Sequence, residues 1–210
     1  QIIEQGRPYS QFYMKEYAGV DRETGKPLWY LNEDGDETTS DYNAASKRYV
    51  GNADPKVLGG FGTNLTWKDF DFNINFNYRL GGKVYDSGAS FTGFGMAFRT
   101  PLEDVALNSW TPENKDAKYP RLSSQSNENN YQTNTLWLAD RSFLKLRSIE
   151  LYYKFPQTWV KKSKILSNAK IYVRGIDLLC FDKINIADPE VYGATYPLTR
   201  SVVAGLTIGF

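Results

Sequence analysis

Histidine is absent from the 210-residue sequence, and cysteine occurs once, at Cys180. Without histidine, the chain lacks the usual general base and the commonest metal ligand. A single cysteine excludes an internal disulfide framework. The carboxylates Glu103 and Asp104 are adjacent, but nothing in the sequence places them across a cleft, so no glycosidase pair is predicted. The sequence therefore predicts a protein that is not an enzyme and has no metal or cofactor.

Long apolar runs and an excess of one charge are lacking as well. The longest apolar stretches fall far short of the roughly 18 residues that a transmembrane helix needs. Lys and Arg total 25 and Asp and Glu total 24, so electrostatics gives no case for nucleic-acid binding. No signal peptide opens the chain, which begins Gln1-Ile-Ile-Glu4, and we expect a mature product or a fragment.

Alternation with a period of two is the main pattern that is present. Segment 69–78 places large apolar side chains on one face and Asp or Asn on the other. Segment 57–67 alternates in the same way, and so do the last ten residues, which end on the aromatic Phe210. A period of two is typical of a strand with one apolar and one wet face.

These strands are also long. About eleven residues at about 3.3 Å each, tilted by about 45°, cross roughly 25 Å, which is the height of the apolar band of a bilayer. Ordinary globular strands are about half that length. We therefore predict a transmembrane antiparallel β-barrel in the all-β class. Its lipid-facing side chains would be Phe70, Phe72, Ile74, Phe76, Val202, Leu206 and Ile208.

The opposite face of the same strands would line a wet interior. Its predicted members are Asn73, Asn75, Asn77, Tyr172 and Arg174. The alternative to the barrel is a secreted or surface-attached carbohydrate-binding β-sandwich, which would bury the same aromatic side chains in its core.

Six long strands are predicted, near residues 9–19, 56–67, 69–79, 141–155, 169–178 and 199–210. Long polar connections at about 20–55, 80–140 and 179–198 alternate with short ones, as outer loops and periplasmic turns do in outer-membrane barrels. The carboxy terminus would then be periplasmic. Membrane barrels have at least eight strands, and lipid does not tolerate open sheet edges. The chain is therefore expected to belong to a larger barrel, with the other strands before Gln1.

Two of these segments fit the pattern poorly. Segment 9–19 has no clean polar face. In segment 141–155, Lys145 and Arg147 have the same parity as the apolar Ile149 and Leu151. Those two cations are acceptable on the lipid side only if that end of the strand rises above the membrane.

Several short motifs carry a resemblance to a known family. They are Tyr17–Tyr30, Gly59-Gly-Phe-Gly-Thr-Asn-Leu65, Asn75-Phe-Asn-Tyr-Arg-Leu-Gly-Gly82, Trp110-Thr-Pro-Glu-Asn114, Ala117-Lys-Tyr-Pro-Arg121, Ser142-Phe-Leu-Lys-Leu-Arg147 and Asp188-Pro-Glu190. In this order they resemble the carboxy-terminal part of SusC/RagA-type TonB-dependent transporters, over essentially the whole chain. One departure is Gly175-Ile-Asp-Leu-Leu179, where the family usually has a Gly-Gln-Asn-Leu-Leu-like stretch, so that Ile176 and Asp177 are unexplained.

The resemblance implies the last strands of a roughly 22-stranded barrel in the bacterial outer membrane, with an amino-terminal plug in its lumen. It implies a SusD-like surface lipoprotein as a lid, and energy from TonB through the plug region, which this chain lacks. The cargo would be oligosaccharides or peptides, as in members of the family from Bacteroidota, and the sequence leaves the choice open. Phe210 would be the signal read by the outer-membrane assembly machinery.

Four side chains in the 80–140 connection are candidates for contact with cargo or the lid: Trp110, Tyr119, Arg121 and Trp137. The alternative is that they pack this connection on itself or on the lid. Likewise, the interior Asn, Tyr and Arg side chains would either touch cargo or fill space against the plug. The acidic turn Asn32–Glu37 surrounds a glycine with oxygens, as calcium loops do, but lacks their spacing, so a solvated turn is favoured over calcium.

Overall fold

The computed structural model describes residues 3–94, 100–123, 132–184, 188–191, 196 and 198–210. The chain divides into two compact units. The loop unit comprises residues 1–54 and 82–140, and the sheet unit comprises residues 55–81 and 141–210. No helix among the described residues is long and apolar enough to cross a membrane.

The strands and helices of the described residues follow one another along the chain in this order: β1 (Gln11–Lys15), β2 (Tyr17–Val20), β3 (Pro27–Tyr30), β4 (Thr38–Thr39), β5 (Lys47–Asn52), β6 (Val57–Trp67), β7 (Phe70–Leu80), β8 (Lys83–Tyr85), α1 (Ser87–Thr92), α2 (Glu103–Leu107), a 3-10 helix (Thr135–Trp137), β9 (Leu138–Asp140), β10 (Phe143–Lys154), α3 (Gln157–Lys162), β11 (Asn168–Asp182) and β12 (Ser201–Gly209).

The sheet unit is one antiparallel sheet with the strand order β6-β7-β10-β11-β12. At one end, which we call the turn end, a two-residue hairpin joins β6 to β7 and residues 155–167 join β10 to β11. Lys68 closes the hairpin with φ 53°, a left-handed conformation that tight hairpin turns need. At the opposite end, the loop end, the longer connections begin. These five strands confirm five of the six that the alternation predicts.

The prediction of a sixth spanning strand at 9–19 is wrong. This segment forms β1 and β2, which pair with β5 and β3 in two separate small sheets of the loop unit. Glu16 lies between β1 and β2, where the chain passes from pairing with β5 to pairing with β3. Its carbonyl accepts a hydrogen bond from the Tyr30 amide at 3.1 Å. Phe12 and Met14 of β1 are buried in a local core with Val50. The segment lacks a clean polar face because it packs within a compact unit.

The loop unit contains regular structure within the stretches 20–55 and 80–140, which the sequence predicts as loops. Strands β2-β3-β4 form a three-stranded sheet, and β8 pairs with β9. A hydrophobic cluster holds α1, α2 and the 3-10 helix together; its buried members are Ala89, Phe94, Val105, Tyr119 and Trp137. The third predicted loop, 179–198, begins later than expected because β11 continues to Asp182.

Candidate functional site

One face of the five-stranded sheet, which we call the apolar face, is mainly apolar across its whole width. Strand register aligns its side chains in rows that run from β6 to β12. Three successive rows are Trp67-Phe70-Tyr153-Ile171-Leu206, Leu65-Phe72-Leu151-Val173-Ala204 and Thr63-Ile74-Ile149-Gly175-Val202. Many of these side chains are exposed, and Val202 reaches 72%. Continuous exposed apolar surface of this kind marks contact with a membrane or another protein.

Aromatic rings are concentrated near the two ends of this apolar face. At the turn end, Trp67, Phe70, Tyr153 and Phe155 form a chain of ring contacts with centroid distances of 6.3, 4.8 and 5.4 Å. Toward the loop end, the Phe61 ring stacks on Phe76 at 5.0 Å. The two rows between contain mostly aliphatic side chains, with Phe72 as their one aromatic ring. Barrels in outer membranes show this arrangement, an apolar band between two aromatic girdles.

The opposite face of the sheet, which we call the polar face, has side chains that form ion pairs and hydrogen bonds with one another. The Arg174 guanidinium and the Glu150 carboxylate form an ion pair at 2.7 Å, and the Tyr152 hydroxyl donates to Glu150 at 2.6 Å. The Asn75 amide donates to the Ser148 hydroxyl at 3.1 Å. The five side chains predicted to line the interior, Asn73, Asn75, Asn77, Tyr172 and Arg174, occupy positions of this face in the strand register.

Glycines let polar side chains lie flat on the polar face. A Cβ at Gly205 would sit 2.4 Å from the Tyr172 ring, and a Cβ at Gly62 would sit 2.4 Å from the Asn75 side chain. Larger residues at these two positions would lift both polar side chains off the sheet. Small residues in β6 and β12 therefore do more than alternate with the apolar ones. They also leave room for the polar side chains of the neighbouring strands.

A β-bulge at Arg147 resolves the problem that Lys145 and Arg147 posed in the sequence. On β10, Leu146 pairs with Phe76 and Ser148 pairs with Asn75, so β10 has one residue more than β7 at this point. The extra residue reverses the parity of the strand. Lys145 therefore lies opposite Asn77 on the polar face, and Leu146 takes the apolar side. The expectation that Lys145 shares a face with Ile149 is wrong, because it assumes unbroken alternation.

The bulge also carries a cluster of ion pairs. The Lys145 side chain is 1% exposed, and its ammonium group lies 2.8 Å from Asp188 and 2.7 Å from Glu190. Arg147 lies 2.9 Å from Asp177 and 3.3 Å from Glu190. Two of the short motifs noted in the sequence, Ser142–Arg147 and Asp188–Glu190, therefore meet through their charges. This cluster ties the described part of the connection after β11 to the sheet.

Asp177, unexplained in the sequence, has a conformational role. Its φ is 51°, within β11, where strands are otherwise extended. Asp and Asn tolerate this left-handed region better than other side chains except glycine. The following Leu178 side chain folds over Gly175, where a Cβ would come within 2.4 Å of it. An Asn in the same place would satisfy the backbone equally, but only Asp supplies a negative charge to Arg147.

Two of the four side chains predicted to contact cargo or the lid lie in the core of the loop unit. Tyr119 is 5% exposed and Trp137 is 6% exposed, with their rings stacked at 6.0 Å. Burial, followed by a hydrogen bond to Asp104 at 2.6 Å, raises the pKa of Tyr119. The same hydrogen bond, with one from Lys118, lowers the pKa of Asp104. Tyr119 and Trp137 therefore pack the loop unit and present no open ring face.

The other two candidates, Trp110 and Arg121, lie together at a glycine turn of the loop unit. Gly25 has φ 70°, and a Cβ there would come within 2.4 Å of the Trp110 ring and 3.1 Å of the Arg121 stem. The Trp110 indole donates to the Arg22 carbonyl at 3.0 Å, and the Arg121 amide donates to the Gly25 carbonyl at 2.9 Å. Both side chains are partly exposed.

The acidic turn 32–37 is bonded within the loop unit. Asn32 donates to Glu37 at 2.9 Å, and the Tyr13 hydroxyl donates to Glu33 at 3.0 Å. The Arg48 side chain donates to the Asn32 carbonyl at 2.9 Å. In the described parts of the chain, no group of three or more His, Cys, Asp or Glu side chains is placed to hold a metal ion.

Comparisons with known proteins agree with this geometry. No protein-family model matches the chain. TonB-dependent receptor P3 of Formosa agariphila is 26% identical over 238 residues, covering 100% of this chain and 23% of that protein. TonB-dependent receptor P26 of the same organism is 26% identical, covering 86% of this chain and 19% of that protein.

Solved structures give the same result. The RagAB peptide transporter matches with a TM-score of 0.82 and 32% identity, over 95% of this chain and 23% of that one. The RagAB peptide importer in its open-open state matches with a TM-score of 0.83 and 29% identity, over 100% of this chain and 24% of that one. The chain thus spans about a fifth to a quarter of the length of these proteins.

The antiparallel sheet and these matches define a partial β-barrel, as the alternation predicts. In sequence and in fold, the chain corresponds to one part of a SusC/RagA-type TonB-dependent transporter.

Proposed function

We propose that this chain forms the carboxy-terminal part of the barrel wall of an outer-membrane importer of nutrients. The observation that carries the proposal is the two-faced sheet, which is apolar and exposed on one side and ion-paired on the other. A β-sandwich would bury its apolar face against a second sheet. The exposed rows of this sheet favour lipid as the neighbour.

In this proposal each face has its own surroundings. Phe70, Phe72, Ile74, Phe76, Val202, Leu206 and Ile208 contact outer-membrane lipid, since all seven lie in the apolar rows or continue them. The polar face lines the barrel interior, where Asn73, Asn75, Asn77, Tyr172 and Arg174 meet the plug or the cargo. Because Arg174 and Asn75 are already bonded within the sheet, filling contacts with the plug are favoured over direct cargo binding.

The proposed partners follow the same reasoning. The long connections at about 20–55, 80–140 and 179–198 face the cell exterior, where a SusD-like lipoprotein covers the barrel. Trp110 and Arg121 are the candidates for contact with that lid or with cargo. The cargo is an oligosaccharide or a peptide; the RagAB structures are described as a peptide transporter. TonB supplies energy through the plug region of the transporter.

Orientation can be tested with single cysteines in the full transporter, after Cys180 is replaced by Ser. Lys26→Cys, exposed in the loop unit, should react with an impermeant maleimide added to intact cells. Thr158→Cys, exposed at the turn end, should react only after the outer membrane is permeabilised. Labelling of Thr158→Cys alone in intact cells would reverse the orientation, and labelling of neither site after permeabilisation would refute surface exposure of both.

Phe210 is proposed as the assembly signal. Its ring is 85% exposed at the end of the chain, just beyond β12. Burying it in lipid contributes about 1.5–3 kcal/mol, too little to decide the stability of a large barrel. Phe210→Ser should therefore lower the amount of heat-resistant, folded barrel in membranes, with periplasmic accumulation and degradation, and leave transport by each assembled barrel intact. Normal folded levels with lost uptake would give Phe210 a role in transport instead.

A further inference from the structure

The connection between β10 and β11, together with the strand ends beside it, has an unusual charge composition. Residues 151–176 contain five lysines and one arginine but no Asp or Glu. Lys154 and Arg174 have carboxylate partners on the polar face, and Lys170 lies over the Tyr152 ring at 5.3 Å. The remaining three lysines, Lys161, Lys162 and Lys164, are exposed. Within the described residues they form no ion pair, so three positive charges stand without local compensation.

Apolar side chains lie exposed among these lysines. Helix α3 buries Val160, at 3% exposed, against the rest of the sheet unit. Trp159 is 61% exposed and Ile165 is 70% exposed. A short helix with an exposed Trp beside several lysines has the composition of a segment that lies in a membrane interface.

The position of this segment supports the same conclusion. Phe155 ends the chain of aromatic contacts at the turn end, and Pro156 and α3 follow it directly. Lys68 of the neighbouring hairpin lies over the Trp67 ring at 4.8 Å. The segment therefore continues the aromatic edge of the apolar face, at the level where a bilayer's hydrocarbon would give way to its headgroups.

We propose that residues 157–165, which we call the basic connector, bind the headgroups of anionic phospholipids. Lys161, Lys162 and Lys164 pair with phosphate oxygens, while Trp159 and Ile165 enter the interface beside them. The opposite charge selects anionic over zwitterionic lipid, because lysines near a membrane surface are attracted by its negative potential. The inference rests on the proposed function, since it requires the apolar face to contact lipid.

The test uses the full transporter in nanodiscs of phosphatidylcholine mixed with phosphatidylglycerol. After mild detergent extraction, mass spectrometry gives the ratio of the two lipids that stay bound. We expect several-fold enrichment of phosphatidylglycerol on the wild type, lost in the triple Lys→Gln variant of Lys161, Lys162 and Lys164. The triple Lys→Arg variant should keep the enrichment, and high salt should reduce it for the wild type.

The matched control replaces three other exposed lysines, Lys26, Lys47 and Lys56, by Gln and should keep the wild-type ratio. Equal ratios for the wild type and the connector variant would overturn the inference, and so would a connector variant that loses binding to peptidoglycan sacculi instead of lipid. If the triple Gln variant fails to fold, single Lys→Gln variants of Lys161, Lys162 and Lys164 replace it, and an unchanged ratio in all three would overturn the inference. A wild type that forms no membrane-inserted barrel would instead refute the proposed function.

Discussion

Lysine at position 74 should destabilise the membrane-inserted barrel far more than lysine at position 75. Ile74 lies on the apolar face, between Thr63 and Ile149 in its row. It is four residues from Phe70 in the aromatic row, about 14 Å along the strand and roughly 10 Å in depth at a 45° tilt. That places it near the middle of the apolar band, where a Lys on the lipid side costs about 2–4 kcal/mol.

The neighbouring site is the matched control. Asn75 points to the polar face, where it donates a hydrogen bond to Ser148 at 3.1 Å. Lysine there removes one hydrogen bond, which is worth about 0.5–1.5 kcal/mol, and its flexible stem can extend over Gly62. The expected difference between the two variants is therefore about 0.5–3.5 kcal/mol, with Ile74→Lys the more damaging.

The assay compares full-length transporters refolded into phospholipid vesicles at increasing urea. The heat-resistant folded fraction is read from the gel mobility of unboiled samples. Ile74→Lys should shift the urea dependence of folding strongly, and Asn75→Lys should stay close to the wild type. Equal tolerance of Lys at both sites, or greater damage at Asn75, would refute the facing of β7.

Two other substitutions test a glycine contact in the loop unit and the ion-pair cluster of the sheet, each with a matched control. Gly25→Ala should destabilise the loop unit by about 1–3 kcal/mol, because φ is 70° and the new Cβ would lie 2.4 Å from the Trp110 ring. Gly35→Ala, with φ 99° and nothing within 4 Å, should cost less. The protease sensitivity of the loop unit measures both effects. Equal effects would show that the contact between position 25 and the Trp110 ring does not matter. Lys145→Ala should cost about 3 kcal/mol, since it leaves the partly buried Asp188 carboxylate without its cation and Glu190 with Arg147 alone. Lys154→Ala breaks an exposed pair and should cost at most about 1 kcal/mol; equal urea midpoints for both would contradict this.

The sheet was largely predictable from the sequence, because a strand with one apolar and one polar face alternates its residues with a period of two. Strand β6 spans Val57–Trp67 against a predicted 56–67, and β7 spans Phe70–Leu80 against 69–79. Apart from Leu58 in β6, both strands have one mainly apolar face and one face of polar or small residues. Such strands need no information from distant parts of the chain to be recognised.

The bulge at Arg147 could not be predicted from alternation, but it left a signal. Two cations at apolar parity in β10 were the sign that the parity changes within the strand. The extension of β11 beyond residue 178 was missed for a related reason, since the left-handed Asp177 interrupts the pattern. The loop unit was missed because its strands are two to six residues long, too short for a period to show.

The aromatic side chains predicted to contact cargo or the lid could not be assigned a role from the sequence. Tyr119 and Trp137 stand in a polar connection, where aromatic side chains suit a ligand platform and a local core equally well. Only the folded arrangement, with α1, α2 and the 3-10 helix packed around them, decides for the core. Trp110 and Arg121 come together through Gly25, which is distant from both in sequence.

The central claim, that the sheet separates lipid from a barrel interior, is tested most directly by spin labels along β7. Single cysteines at positions 70 to 80 of the full transporter, with Cys180 replaced by Ser, would be labelled and reconstituted in vesicles. Accessibility to molecular oxygen, which partitions into lipid, should alternate with a period of two along the strand. Its maxima should fall on positions 72, 74 and 76, and its minima on 73, 75 and 77. Uniform accessibility, or maxima on the Asn positions, would contradict it.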